Sequence, residues 1–238
     1  STIAPFFVAV GILITAIGLL STLVVTAIGV AFLLLVAAVW MTQQWTEPMT
    51  DDMTGHRFSF IGAGMLAFLG SESVFFGALI AADIHLHIHN NSLSAAGHLH
   101  ATFPAINTLN LVLSGVAAHY AQVSYRKRRI GAFNVYLVLT VLLGAAFIGG
   151  QAWEYSHIGF GLSGGLLPST FFLLTGFHGL HVLCGLGVLV FLFFRARREG
   201  RLELGTSPGT SGMVDAATYY WHFVDAVWVA VFIVVYLL

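Results

Sequence analysis

The chain has 238 residues, 58% hydrophobic and 8% charged, with a mean hydropathy of +0.91. Soluble domains carry about 25% charged residues, so this is an integral membrane protein. The net charge of −1 removes any nucleic-acid reading, and the single cysteine, Cys184, excludes a disulfide framework or a cysteine-built zinc or iron–sulfur site.

A helix needs about 20 apolar residues to cross a bilayer. The first apolar block, Ile3 to Met41, has no charged residue and is roughly twice that length. It reads as two helices with a tight turn near Leu20–Thr22. The start at Ser1 fits removal of an initiator Met. With no basic n-region and no small-residue cleavage site, the first run reads as a retained span rather than a signal peptide. Five more spans follow, at 57–83, 102–124, 131–155, 169–194 and 216–238. The organisation is therefore a hairpin over 1–41, a linker over 42–56 and a bundle over 57–238, seven helices in all.

The basic residues fit that count. All nine Lys and Arg fall in three links: Arg57 before the third span, Arg126, Lys127, Arg128 and Arg129 after the fourth, and Arg195, Arg197, Arg198 and Arg201 after the sixth. These are alternate links, on one side of a seven-helix protein. The positive-inside rule makes that side the cytoplasm or matrix, with the N-terminus inside and the C-terminus outside. Arg126 to Arg129 also form a candidate contact for anionic lipid headgroups. The outer loop 84–101 holds five histidines and no Lys or Arg. Its HLHIH run alternates like a strand, so His85, His87 and His89 could share one side and bind copper or zinc; a solvated loop is the simpler reading. The inner link 199–214 reads as the longest flexible link.

An ionisable group inside a span costs a few kcal/mol unless it is paired. Those present are Glu72, His119, Glu154, His178, His181, His222 and Asp225. The third span runs outward and the sixth inward. Glu72 then lies at a depth between His178 and His181, to within about 5 Å. His222, Asp225 and His119 fall at similar depth in the inner half, a second polar patch. Glu154 sits at the outer end of the fifth span and needs no exotic partner. Three chemistries fit these groups. A b-type haem would take two facing imidazoles, such as His119 and His222. Copper or iron would take converging donors, such as Glu72, His178 and His181. The simplest is a buried Glu72 partnered by histidines or by Ser71, Ser73 and Thr175.

Four motifs then occur in order: GMLAFLGSESVFFGALIAADIH at 64–85, NTLNLVLSG at 107–115, GQAWEYSHIGF with FFLLTGFHGLHVLCG at 150–160 and 171–185, and YYWHFVDAVWVAVFIVVYLL at 219–238. Together they resemble subunit III of haem–copper oxidases of the cytochrome c oxidase type, strongly from Arg57 to Leu238. Ser1 to Met41 is similar only as a two-helix hairpin and lacks the polar, His-bearing stretch that precedes the first helix in longer members.

The resemblance implies an all-α membrane fold, a two-helix hairpin set against a five-helix bundle around a cleft that holds phospholipids. It implies a subunit with no redox centre of its own, with haems and copper in subunits I and II. Such a subunit stabilises subunit I, sustains proton uptake from the inner side and shapes an oxygen route. Glu72 takes the place of the family's buried carboxylate, and His178, His181, His222 and Asp225 match its intramembrane polar positions. Gly176, Gly179 and Gly185 would let helices approach closely around the two histidines. The implied location is a bacterial plasma membrane or mitochondrial inner membrane, in a respiratory complex or supercomplex. The alternatives are a homologous subunit of a quinol oxidase or nitric oxide reductase, a stand-alone proton or ion transporter with Glu72 as carrier, and a haem-binding membrane cytochrome.

Overall fold

The computed structural model describes residues 22–46, 60–89, 102–161, 165–201 and 208–237, with residues 7, 8, 10, 11, 14, 15 and 18. The regular structure among them is helical: α1 Leu23–Thr46, α2 Phe60–His89, α3 Thr102–Arg126, α4 Ile130–His157, α5 Leu166–Arg201 and α6 Pro208–Phe232, the last running into a π-helical turn, Ile233–Leu237. These are the second to seventh predicted spans. Much of the first span, the link with Arg57, and His98 and His100 lie outside the described residues. Among the described residues, four segments are long and apolar enough to cross a membrane: Gly64–His89, Ile130–His157, Pro168–Arg198 and Thr210–Leu237.

Two compact units divide the chain at residue 50. In the first, described helical positions lie antiparallel to α1. Phe7 meets Phe32 edge-on at 6.5 Å, and a β-carbon on Gly11, Gly18 or Gly29 would press on Leu33, Thr26 and Thr15 respectively. The hydroxyl of Thr22 accepts the Val25 N–H at 3.4 Å and caps α1. Thr22, at one end of the predicted 20–22 turn, directly precedes α1, and residues 19–21 lie outside the described residues.

In the second unit α3 and α4 form an antiparallel pair. Buried positions of α4 recur three and four apart: Phe133, Leu137, Thr140, Gly144, Phe147, Gln151 and Glu154. That period lets one helix face interlock with its neighbour. The pair turns through Lys127–Arg129. The Arg129 N–H donates to Ser124 O and the Arg128 N–H to Tyr125 O, both at 2.9 Å. This is a Schellman end with Arg128, at φ 57°, in the place usually held by glycine.

The most buried helix is α6, which packs on α2, α3 and α5. Its core face is Trp221, Val224, Trp228 and Val231, each no more than 1% exposed. The Trp221 indole lies where β-carbons on Gly144 and Gly185 would stand, 2.8 Å from each. Only Gly185 of the three predicted glycines makes such a contact; Gly179 has open space and Gly176 meets only the Tyr155 hydroxyl at 3.9 Å.

Three predicted boundaries move. α2 continues to His89, so HLHIH is helix and not an alternating strand. α5 runs to Arg201 and α6 begins at Pro208, so most of the predicted 199–214 link whose backbone is described is helical. Hydropathy marks the apolar part of a helix, whereas its backbone hydrogen bonds continue past the membrane edge.

Candidate functional site

The first polar contact joins α2 to α5. Glu72 Oε2 and His181 Nε2 are 3.0 Å apart, with side chains 20% and 15% exposed. His181 Nδ1 lies 2.8 Å from the carbonyl oxygen of Phe177. A carbonyl only accepts, so Nδ1 carries a hydrogen. In the neutral ring Nε2 is then the acceptor, and Glu72 must donate to it. The other arrangement is an imidazolium facing a carboxylate. In either case one proton lies in the contact between the two side chains. Phe76 packs edge-on to the ring at 5.0 Å, and the Tyr220 hydroxyl donates to the His181 carbonyl at 2.9 Å.

The predicted hydroxyl partners of Glu72 are engaged elsewhere. Ser71 and Ser73 donate to Phe68 O and Leu69 O of their own helix. Thr175 donates to Phe171 O and shares a 2.8 Å hydrogen bond with Tyr155. His178 does not join the pair either. It is 1% exposed and packs edge-on to Phe147 and against Trp228, at 5.7 and 4.8 Å, and neither ring nitrogen has a hydrogen-bond partner. Three residues along a helix turn a side chain by about 300°, so His181 faces α2 while His178 faces α4 and α6.

The second polar patch forms on α3 and α6, as the depth argument predicts. His119 and His222 have ring centroids 6.4 Å apart, and His222 Nδ1 is 3.7 Å from Asp225 Oδ2. With Val112, Val116 and Tyr120 they line an open cavity of about 400 Å³. A β-carbon on Gly115 would collide with Asp225 Oδ2, so the glycine makes room for the carboxyl. On either side, indole N–H groups of α6 donate to hydroxyls of α3: Trp221 to Ser114 and Trp228 to Thr108, both at 2.9 Å.

Glu154 finds ordinary polar partners within the chain. It is 8% exposed and accepts from the Tyr236 hydroxyl at 2.8 Å and from Gln151 at 3.2 Å. The π-helical turn brings Val234, Val235 and Tyr236 to the buried side in succession, and that places the phenol on Glu154. The carboxyl is legible in the sequence, but its partner lies 82 positions away.

The histidines of HLHIH separate. His85 and His89, four apart on a helix, have tilted rings with centroids 4.1 Å apart, while His87 turns to Asp83, with Nδ1 3.4 Å from Oδ2. Among the described residues no three His, Cys, Asp or Glu side chains converge on a possible metal position. Neither three-donor set, His85–His87–His89 or Glu72–His178–His181, comes together among the described residues. Of the basic cluster, Arg126 pairs with Asp215 at 3.0 Å, and Gln122 donates to the same carboxylate at 2.8 Å. Its hydrogen bond to Asp215 raises the Arg126 guanidinium above its ordinary range. Lys127, Arg128 and Arg129 are exposed.

The family model described as cytochrome c oxidase subunit III matches residues 1–238. The chain belongs to the cytochrome c oxidase subunit III family. It is 36% identical over 176 residues to cytochrome c oxidase subunit 3 of Thermostichus vulcanus, covering 74% of this chain and 86% of that one. It is 33% identical to the protein of that name from Corynebacterium diphtheriae, covering 76% and 89%, and 34% identical to that of Lumbricus terrestris, covering 87% and 82%. As a subunit III chain it is a multi-pass membrane protein and part of an oxidoreductase complex. The subunit III motifs seen in the sequence fall on the contacts above: SES carries Glu72, GFHGLH carries both α5 histidines, and NTLNLVLSG and WHFVD meet along the α3–α6 seam.

Proposed function

We propose that this chain is the non-redox subunit III of a proton-pumping terminal oxidase that reduces oxygen to water. The observation that carries this reading is the full-length subunit III match. The names of the relatives favour cytochrome c over quinol as electron donor and over a nitric oxide reductase assembly. In this reading seven helices cross the membrane, with the N-terminus inside and the C-terminus outside. Haems and copper reside in subunits I and II, and this chain supports subunit I and proton uptake. Bacterial relatives favour a bacterial plasma membrane over the mitochondrial inner membrane.

Glu72 and His181 are the intramembrane proton-bearing pair of that account, with Asp225 and His222 a second polar position and His178 an apolar packing element. An apolar groove of about 600 Å³ along α5, lined by Leu166, Phe172, Leu173, Phe177 and Leu180, fits phospholipid acyl chains. Lys127, Arg128 and Arg129 suit anionic headgroups.

The test is purification of the complex from its native membrane through a tag on this chain. A large haem–copper subunit in stoichiometric yield is expected, and the isolated chain should have no Soret band and carry no proton flux in liposomes. A Soret band from the isolated chain would replace this reading with a membrane cytochrome, and flux would replace it with a transporter.

A further inference from the structure

We propose that the α3–α6 groove around Asp225 is a docking surface for a transmembrane helix of another oxidase subunit, which inserts a side-chain N–H or O–H donor beside the carboxyl. The inference rests on the subunit III reading and names where the neighbour binds.

The carboxyl is set in place but left short of hydrogen bonds. Gly115 opens the space that Asp225 Oδ2 fills. His222 Nδ1 stands 3.7 Å from that oxygen, beyond the 2.7–3.2 Å range of an N–H···O bond. Asp225 Oδ1 is buried with no hydrogen-bond partner. The groove is also open to the side. His222 is 43% exposed in its side chain, and Val112 and Val116 on the facing helix are 42% and 48% exposed. Polar groups on the outer surface of a membrane bundle pair with other protein groups, because hydrocarbon offers them nothing.

Depth selects the occupant. Asp225 is 15 residues from Thr210 and 12 from Leu237, the ends of its apolar segment. At about 1.5 Å per residue that is about 22 Å and about 18 Å. Lipid headgroups do not reach mid-membrane and acyl chains have no donor. A neighbouring helix has both reach and donors.

The experiment uses the intact complex purified through a tag on this chain. A benzophenone amino acid is placed at Val116 and irradiated. A cross-linked species of this chain with another subunit is expected. In parallel, Asp225→Leu should lower recovery of the haem-bearing subunit at least about tenfold, while Asp225→Asn, which keeps an acceptor, should stay near wild type. Adducts with lipid alone at position 116 would overturn the proposal, even if Asp225→Leu failed to fold. Equal recovery with Leu and Asn would also overturn it. Absence of any haem-bearing subunit from the unmodified complex would sink the subunit III reading itself, and this inference with it.

Discussion

The two polar regions within the membrane-spanning part are built in opposite ways. At the α2–α5 contact each ring nitrogen of His181 meets an oxygen, Phe177 O at 2.8 Å and Glu72 at 3.0 Å. At the α3–α6 groove a carboxyl oxygen of Asp225 has no partner, and the nearest imidazole stands at 3.7 Å. The first region completes itself within the chain; the second is complete only against a neighbour. Charge count and hydropathy do not distinguish them. The distinction is geometric: whether the helices that meet there bring matching donors and acceptors.

The difference can be broken most forcefully at the closed pair. His181→Leu leaves Glu72 unpartnered and should destabilise the chain by ~1–3 kcal/mol, read as unfolding in mixed detergent. The double variant Glu72→Leu with His181→Leu should lose less than the two single losses added together, with a coupling of ~0.6–2 kcal/mol. Strict additivity would show that the contact contributes nothing.

Gly115→Ala should cost ~1–3 kcal/mol through overpacking, because its methyl takes the place of Asp225 Oδ2. Adding Asp225→Ala should recover most of that loss. If the alanine at 115 were as harmful with Asp225 removed, the cradle would not be what the glycine serves.

His178→Leu should move stability by no more than ~1 kcal/mol in either direction, since an apolar group replaces a ring that makes no hydrogen bond. A loss as large as that of His181→Leu would mean that the two histidines of GFHGLH are equivalent after all.

The smallest effect belongs to Glu72→Gln. The amide can still donate to His181 Nε2, so oxygen consumption by the assembled complex should stay within about twofold, under ~0.5 kcal/mol in the barrier. A complete loss in a haem-replete complex would put Glu72 in the chemistry.

Much of this was legible in the chain, and the limits are physical. The apolar runs gave the helices, and counting at 1.5 Å per residue placed Glu72 level with the α5 histidines and His119 level with His222. Depth says nothing about azimuth, so it could not tell that His181 turns to Glu72 while His178 faces Phe147 and Trp228. The HLHIH run was misread because five residues with apolar and polar side chains in alternation fit a strand, and nothing in them ends a helix. The Tyr236 partner of Glu154 was not legible because it is reached through a π-helical turn with no sequence signature. The 199–214 link was overestimated because Arg195, buried against Thr210 at 3.1 Å, belongs to a helix that outlasts its apolar stretch.

The central claim is that the chain supports an oxidase without housing its chemistry. The most direct measurement is the haem content and oxygen consumption of material purified through a tag on this chain from its native membrane. The account predicts one copy of the chain per haem–copper subunit, with every haem and copper assigned to the partner subunits once the complex is dissociated. Recovery of the chain free of any haem-bearing partner, or with haem still bound to the dissociated chain, would contradict it.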